Sequence, residues 1–320
     1  MLEIHVSKNE AGQRFDKLLA KYLNTAPKSF FYKMLRKKNI TLNDKKAVGN
    51  ERLELNDIIK LYLSEETIAK FSQPYTISHT HINLDIIYEN EHVLFINKPV
   101  GMLSQKAENT DESLVEHVIS HLLDTGQITE KELQSFKPSV CNRLDRNTSG
   151  LVVAGKSLQG LQSMGKLFRT RELKKYYRCL VVGEVTTPQH ILGYLVKDQT
   201  TNIVTISTQQ LPESVPIETK YEPLWYHQGV TLLEVHLITG RTHQIRAHLA
   251  SISHPIIGDY KYGQRRINEQ YKALYGLQSQ LLHAYRLELP KCTGVLASIS
   301  EGIYTAPLPA LFQQILEEKQ

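Results

Sequence analysis

From about Leu84 onward the chain is broken into short apolar runs rich in β-branched residues and bounded by polar turn residues. Ile86-Ile87-Tyr88 and Val93-Leu94-Phe95-Ile96 come first, and further runs follow at 151–154, 177–185, 203–206, 217–224 and 230–238. Runs of this length and composition read as strands. Between them, Leu114, Val115, Val118, Ile119, Leu122 and Leu123 recur at helical spacing. Strands dominate and do not alternate regularly with helices. The spacing therefore predicts an α+β fold on a mainly antiparallel mixed sheet, not a doubly wound α/β fold. No internal repeat or low-complexity tract interrupts it.

The first 64 residues have another character. Phe15, Leu18, Leu19, Tyr22 and Leu23 line one helical face, and Pro27 ends that helix. A second helix is expected over 28–38, with Phe31, Met34 and Leu35 inward and Lys28, Lys33, Arg36, Lys37 and Lys38 outward. Ile40-Thr41-Leu42 reads as a strand, Asn43-Asp44 as a turn, and 58–63 as a closing strand. A small α+β domain over 1–64, a polar linker over 65–82 that contains His79 and His81, and a main domain over 83–320 are the expected divisions.

Charge follows the same boundary. Residues 1–64 hold 13 Lys and Arg against 7 Asp and Glu, a balance of +6; the whole chain is +5, so the rest sums to −1. A basic block of this kind marks a polyanion-binding module. Cys141, Cys179 and Cys292 are widely spaced and form no Cys-x-x-Cys pair, which argues against a disulfide framework or a zinc ribbon and for a reducing, cytoplasmic setting. The start of the chain lacks a signal-peptide pattern, no apolar run is long enough to cross a membrane as a helix, and no heptads appear, so a monomer away from membranes is expected.

Two stretches carry chemistry. Asn142-Arg143-Leu144-Asp145-Arg146-Asn147-Thr148-Ser149-Gly150 precedes the apolar strand Leu151-Val152-Val153-Ala154. A carboxylate aimed from such a loop suits a nucleophile, although an Arg-x-Asp-Arg cluster is also a common surface ion-pair set. In Ile238-Thr239-Gly240-Arg241-Thr242-His243-Gln244-Ile245-Arg246-Ala247-His248-Leu249 a strand ends, a glycine turns the chain, and Thr242 can cap a helix that carries Arg246 one turn inside. That stretch fits a phosphate site at a helix N-terminus. Metal binding is disfavoured, because residues five apart, as His243 and His248 are, lie about 140° apart on a helix.

Taken in order, these stretches resemble the RluA-type pseudouridine synthases. Tyr88-Glu89 and Asn97-Lys98-Pro99-Val100-Gly101 match the family's opening block, and 143–150 its catalytic block. Lys175-Tyr176-Tyr177-Arg178-Cys179-Leu180-Val181-Val182-Gly183 matches the tyrosine block, 240–246 with His254-Pro255-Ile256-Ile257-Gly258-Asp259 the arginine block, and Leu282-His283-Ala284 a late block. Ahead of them, 12–19 and 56–59 resemble an S-four-like RNA-binding module. Two positions depart from the pattern: Asn142 stands where the family often has His, and Leu103-Ser104-Gln105 where it often has another His.

The resemblance implies that uridine in RNA becomes pseudouridine, with ribosomal RNA favoured over transfer RNA as the partner and no cofactor or metal. The bond from ribose C1′ to uracil N1 breaks, the base turns, and C5 bonds to C1′. Asp145 is the implied catalytic carboxylate, acting either by attack on C1′, as retaining glycosidases do, or by taking a proton at C2′. An ionised carboxylate in a closed pocket needs a fixed cation, a role the resemblance gives to Arg246, and the two are expected to depend on each other. Tyr177 is expected to lie on the flipped base, holding it and helping the final proton removal near C5, with the adjacent Tyr176 as its decoy, and Ile245 packs on the base. Arg143 is expected to fill the gap the nucleotide leaves, and Arg241 to contact substrate. Lys98 either meets phosphate or folds the Lys-Pro turn. Lys28, Lys33, Arg36, Lys37 and Lys38 are the expected RNA contacts of the first domain. A non-catalytic RNA-binding factor on the same fold would lack Asp145, Tyr177 or Arg246. A sugar glycosidase would show paired carboxylates and no basic module.

Overall fold

The computed structural model describes residues 1–73, 82–108 and 110–319. The N-terminal unit comprises β1 (Leu2–His5), α1 (Phe15–Tyr22), α2 (Lys28–Arg36), β2 (Ile40–Leu42), β3 (Lys45–Lys46), β4 (Ile58–Leu61) and α3 (Glu65–Phe71). Its sheet runs β1-β4-β2-β3. Phe15, Leu18 and Leu19 from α1 and Phe31 and Leu35 from α2 pack on Ile4, Ile40, Ile59 and Leu61, all buried. Asn43 and Asp44 take φ of 52° and 59°, the left-handed pair that a tight hairpin requires between β2 and β3.

The expected linker is corrected at its start. Ser64 caps α3 by accepting the Thr67 N–H at 3.3 Å, and Ile68 and Phe71 pack on the N-terminal core. The polar residues of this segment conceal a helix that uses two apolar side chains one turn apart. Residues 74–81, with His79 and His81, lie outside the described residues. The unit meets the larger one at Ser135, whose carbonyl takes Lys21 Nζ at 2.8 Å and whose hydroxyl donates to Glu10.

The larger unit continues with β5 (Ile86–Glu89), β6 (Val93–Lys98), α4 (Leu114–Asp124), β7 (Ser139–Val140), β8 (Ser149–Gly155), α5 (Leu158–Thr170), β9 (Lys174–Val182), β10 (Gln189–Lys197), β11 (Val204–Ser207), β12 (Val215–His227) and β13 (Val230–Leu237). Then come α6 (Gln244–Ser251), α7 (Arg265–Tyr275), β14 (Leu282–Glu288), β15 (Ile303–Thr305) and α8 (Ala310–Glu317). One 11-stranded sheet runs β11-β10-β12-β13-β9-β14-β8-β6-β5, with β15 on β14 and β7 on β8. Among the described residues, β8 with β14 is its one parallel pair. The α+β class and the antiparallel character are as expected.

Strand β8 is buried on both faces, which is why 151–154 appears as a continuous apolar run. On β8, Val152 and Ala154 join α4 in one cluster, while Leu151 and Val153 join Met164 and Leu167 of α5 in another. On β9, Tyr177, Cys179 and Val181 face the α4 side, with Ile245 and Leu249 of α6. Leu180 faces Ile257 and the α8 residues Phe312 and Ile315.

Candidate active site

The loop between β7 and β8 is held at nearly every residue. Asn142 Oδ1 accepts the Val153 N–H at 2.9 Å, and its Nδ2 donates to Leu151 O at 3.2 Å. Leu144 is buried, and Ser104 Oγ takes both of its backbone groups, donating to its carbonyl at 2.9 Å and accepting its N–H at 3.0 Å. Arg146 O accepts from Gly101 N at 2.9 Å and from Lys98 Nζ at 3.2 Å. The Thr148 N–H reaches Asp145 O at 3.0 Å and closes the turn. Gly150, at φ 110°, lets β8 approach β14, since a Cβ there would lie 2.3 Å from Ala284 O. With its neighbours so fixed, Asp145 projects from a rigid edge, its side chain 29% exposed.

Arg246 arrives from the first turn of α6. Its Nη1 donates to Asp145 Oδ2 at 2.8 Å. Its Nε and Nη2 grip Asp259 in a fork, at 2.7 and 2.9 Å. Asp259 is fully buried and also accepts the N–H groups of Lys261 and Tyr262. Burial alone would push the guanidinium down, but the hydrogen bond and charge of Asp259, with Asp145 adding, raise it, so Arg246 stays charged. The expected pairing with Asp145 is present, yet Asp259 is the deeper partner, bound by two N–H groups where Asp145 has one. Sequence reasoning missed that role although Asp259 ended a quoted motif, because the turn over 252–258 conceals how the chain folds back on α6.

Thr242 does not cap α6. His243 is the N-cap residue, in the left-handed region at φ 52°, and the Gln244 side chain takes the Arg241 N–H at 3.1 Å. Gln244 is long enough to reach Thr239 and Glu218 as well, which ties the turn to β12. His248 is buried and occupied by Thr219 Oγ1 at 3.0 Å and by the Leu192 backbone.

A cleft of about 990 Å³ opens over these groups. Asp145, Tyr177, Arg246, Ile245, Arg143 and Arg241 all line it. Lys106, Arg146, Arg169, Arg171, Lys175 and Lys197 line it too, and among the described lining residues Asp145 is the one carboxylate. The −1 balance beyond residue 64 therefore conceals a strongly positive groove, and reading all the basic charge into the first domain was too coarse. Burial, and then the Asp145 charge, push the Tyr177 phenol well above its usual range, so it stays protonated. Tyr176 faces the other side of the sheet, stacked on His236 at 4.8 Å.

Lys98 does not line the cleft. It is fully buried, and its Nζ donates to Pro99 O at 2.9 Å, Met102 O at 2.8 Å and Arg146 O. Burial pushes Lys98 down to about 7, but three carbonyl acceptors match the three N–H bonds of the ammonium and favour that form. The phosphate reading is corrected: Lys98 folds the turn that holds the Asp145 loop. Lys28, Lys33, Arg36, Lys37 and Lys38 are exposed on or just after α2 and do not line the cleft.

The family model for RNA pseudouridylate synthase matches residues 92–251. The chain belongs to the RNA pseudouridine synthase family. It is 32% identical over 297 residues to an uncharacterized RNA pseudouridine synthase of Mycoplasma genitalium, covering 89% of this chain and 88% of that one. It is 30% identical to the ribosomal large subunit pseudouridine synthase C of Vibrio cholerae, over 98% of this chain and 95% of that protein. The fold is shared with human RNA pseudouridylate synthase domain containing 4, at a TM-score of 0.57 and 23% identity, over 72% of this chain and 91% of that chain. The synthase is thus an RNA-modifying isomerase. Among the described residues, no helix is long and apolar enough to cross a membrane.

Proposed function

We propose that the synthase isomerises uridine in large-subunit ribosomal RNA, with Asp145 as its essential carboxylate. The observation that carries this is the place of Asp145: a single carboxylate among the described lining residues of a cationic cleft, held by Arg246. Cationic walls suit a folded RNA backbone, and one fixed carboxylate suits a reaction that rearranges one glycosidic bond.

Within that reading, Tyr177 and Ile245 form the two apolar surfaces against the flipped uracil. Tyr177 remains a neutral phenol and acts as a platform, not as a phenolate base. Arg143, exposed at the rim, fills the space in the RNA stack, and Arg241 meets the phosphate backbone. The exposed cations of α2 extend the contact on the N-terminal unit. Asp145 either attacks C1′ or takes the C2′ proton, and both routes require its ionised form. Ribosomal RNA is favoured by the Vibrio cholerae relative, whose name specifies the large subunit. The test is pseudouridine mapping of total RNA from cells lacking the protein, complemented with wild type or Asp145→Asn. A large-subunit pseudouridine that disappears, and returns with wild type alone, is expected. Loss confined to transfer RNA would overturn the substrate assignment.

A further inference from the structure

His243 is held in an uncommon backbone conformation for a residue other than glycine, at φ 52° and ψ 17°. That conformation sets its ring between two groups. Nδ1 lies 2.9 Å from the Tyr262 hydroxyl, and the two rings meet edge to face at 5.6 Å. The Tyr262 oxygen also accepts the Val204 N–H at 3.0 Å. With that lone pair engaged, the phenol proton is free to be donated to Nδ1. The imidazole then accepts at Nδ1 and carries its own proton on Nε2. Nε2 lies 3.8 Å from Asp145 Oδ2, the oxygen that Arg246 also holds. Catalytic hydrogen bonds are often long before substrate arrives and tighten afterwards.

We propose that His243 is a positioning residue for the isomerisation: a neutral imidazole, aimed by Tyr262, that presents its Nε2–H to Asp145 and holds the carboxylate in its reacting orientation. The inference rests on Asp145 being the reacting carboxylate. The ring is faced by Asp145 from the catalytic loop, Arg246 from α6, and Asp259, Lys261 and Tyr262 from the turn beyond it. Burial lowers its pKa, Asp145 opposes this, Arg246 and Lys261 add to it, Asp259 opposes, and the net direction is down. A neutral N–H orients a carboxylate without cancelling its charge. An imidazolium would pair with Asp145 and weaken it as nucleophile or base.

The test uses the full-length protein and in vitro transcribed large-subunit ribosomal RNA labelled with tritium at uridine C5, in single turnover from about pH 5 to pH 8. Asparagine tolerates the left-handed region, so His243→Asn keeps the entry to α6 while losing the reach to Asp145. The maximal rate should fall about 10- to 100-fold, the cost of a misplaced reacting group, with the RNA concentration at half-maximal rate unchanged. Wild type should lose rate on the acid side as the imidazole protonates, and that limb should vanish in His243→Asn. Tyr262→Phe leaves the backbone of His243 alone and should give a smaller loss of the same kind, so it decides the matter if the first variant misfolds. A loss confined to RNA affinity, or a lower rate with an unaltered acid limb, would reduce His243 to a helix cap. If Asp145→Asn turns over substrate, the assignment of Asp145 fails; if it is dead while both other variants match wild type, only the role of His243 fails.

Discussion

Arg246→Met should destabilise the larger unit chiefly through Asp259. The guanidinium gives Asp259 two N–H bonds at 2.7 and 2.9 Å, and that carboxylate is fully buried. Removing one partner of a buried ion pair costs about 3–5 kcal/mol. Asp259 keeps the N–H groups of Lys261 and Tyr262, so the lower end applies, about 3 kcal/mol. Asp145 has a 29% exposed side chain and can rehydrate, and its share should be about 0–1 kcal/mol. Arg246→Met combined with Asp259→Asn should therefore recover about 1–2 kcal/mol, and combined with Asp145→Asn less than about 0.5 kcal/mol. Urea unfolding read by Trp225 isolates the larger unit, because this is the chain's single tryptophan and it packs with the cluster of Leu180, Ile257 and Phe312. A loss under about 1 kcal/mol, or greater recovery with Asp145→Asn than with Asp259→Asn, would refute the reasoning.

Lys98→Met should cost about 1–3 kcal/mol by leaving buried carbonyls without a donor, and should lower turnover by loosening the Asp145 loop; equal stability by urea midpoint would contradict its role in the turn. His248 and His283 are both pushed down to about 4 by burial, below their unfolded value. The unfolded chain binds more protons between those values, so stability present near neutral pH should be lost as pH falls from about 6.5 to 4. His283→Asn should reduce that slope in urea titrations, and an unchanged slope would count against it. Lys37→Glu with Lys38→Glu should weaken RNA binding and make its log–log salt dependence shallower, by roughly 0.9 per lost phosphate contact on a duplex. Because the cleft supplies its own cations, a substantial slope should remain, and complete loss of salt dependence would contradict the charge map.

The period of the apolar residues made most of the scaffold legible. Strands β6 and β8 are buried on both faces, so each announces itself as an apolar run, while β9 and β13 carry Arg178, Glu234 and His236 among their apolar residues. Strand β10 is less legible because Gly193 interrupts its apolar residues. Helix α5 was hidden by glycine: Gly160 sits where a Cβ would lie 2.2 Å from His92 O, so close packing displaced a helix-forming residue. The helix α3 offers only Ile68 and Phe71 as signal. The residues lining the cleft were legible as ordered motifs. Most of their supports were not, because they act across the fold: Ser104 on Leu144, Asp259 on Arg246, and Tyr262 on His243; Lys98 was half legible, its Lys-Pro turn standing beside the phosphate reading. Local sequence carries the side chains that line the cleft more readily than those that hold them from another element. The charge balance failed for a related reason, since a sum over 256 residues cannot show that cations converge on one groove.

Release of tritium from C5-labelled uridine in RNA by purified Asp145→Asn is the most direct measurement of the central claim. The loop is fixed by its neighbours and not by this side chain, so the variant should fold, bind RNA nearly as wild type does, and release less than about 1% of the wild-type signal in the same time, as loss of an essential group implies. A folded, RNA-binding variant that releases tritium well above that level would show that another group carries the bond exchange.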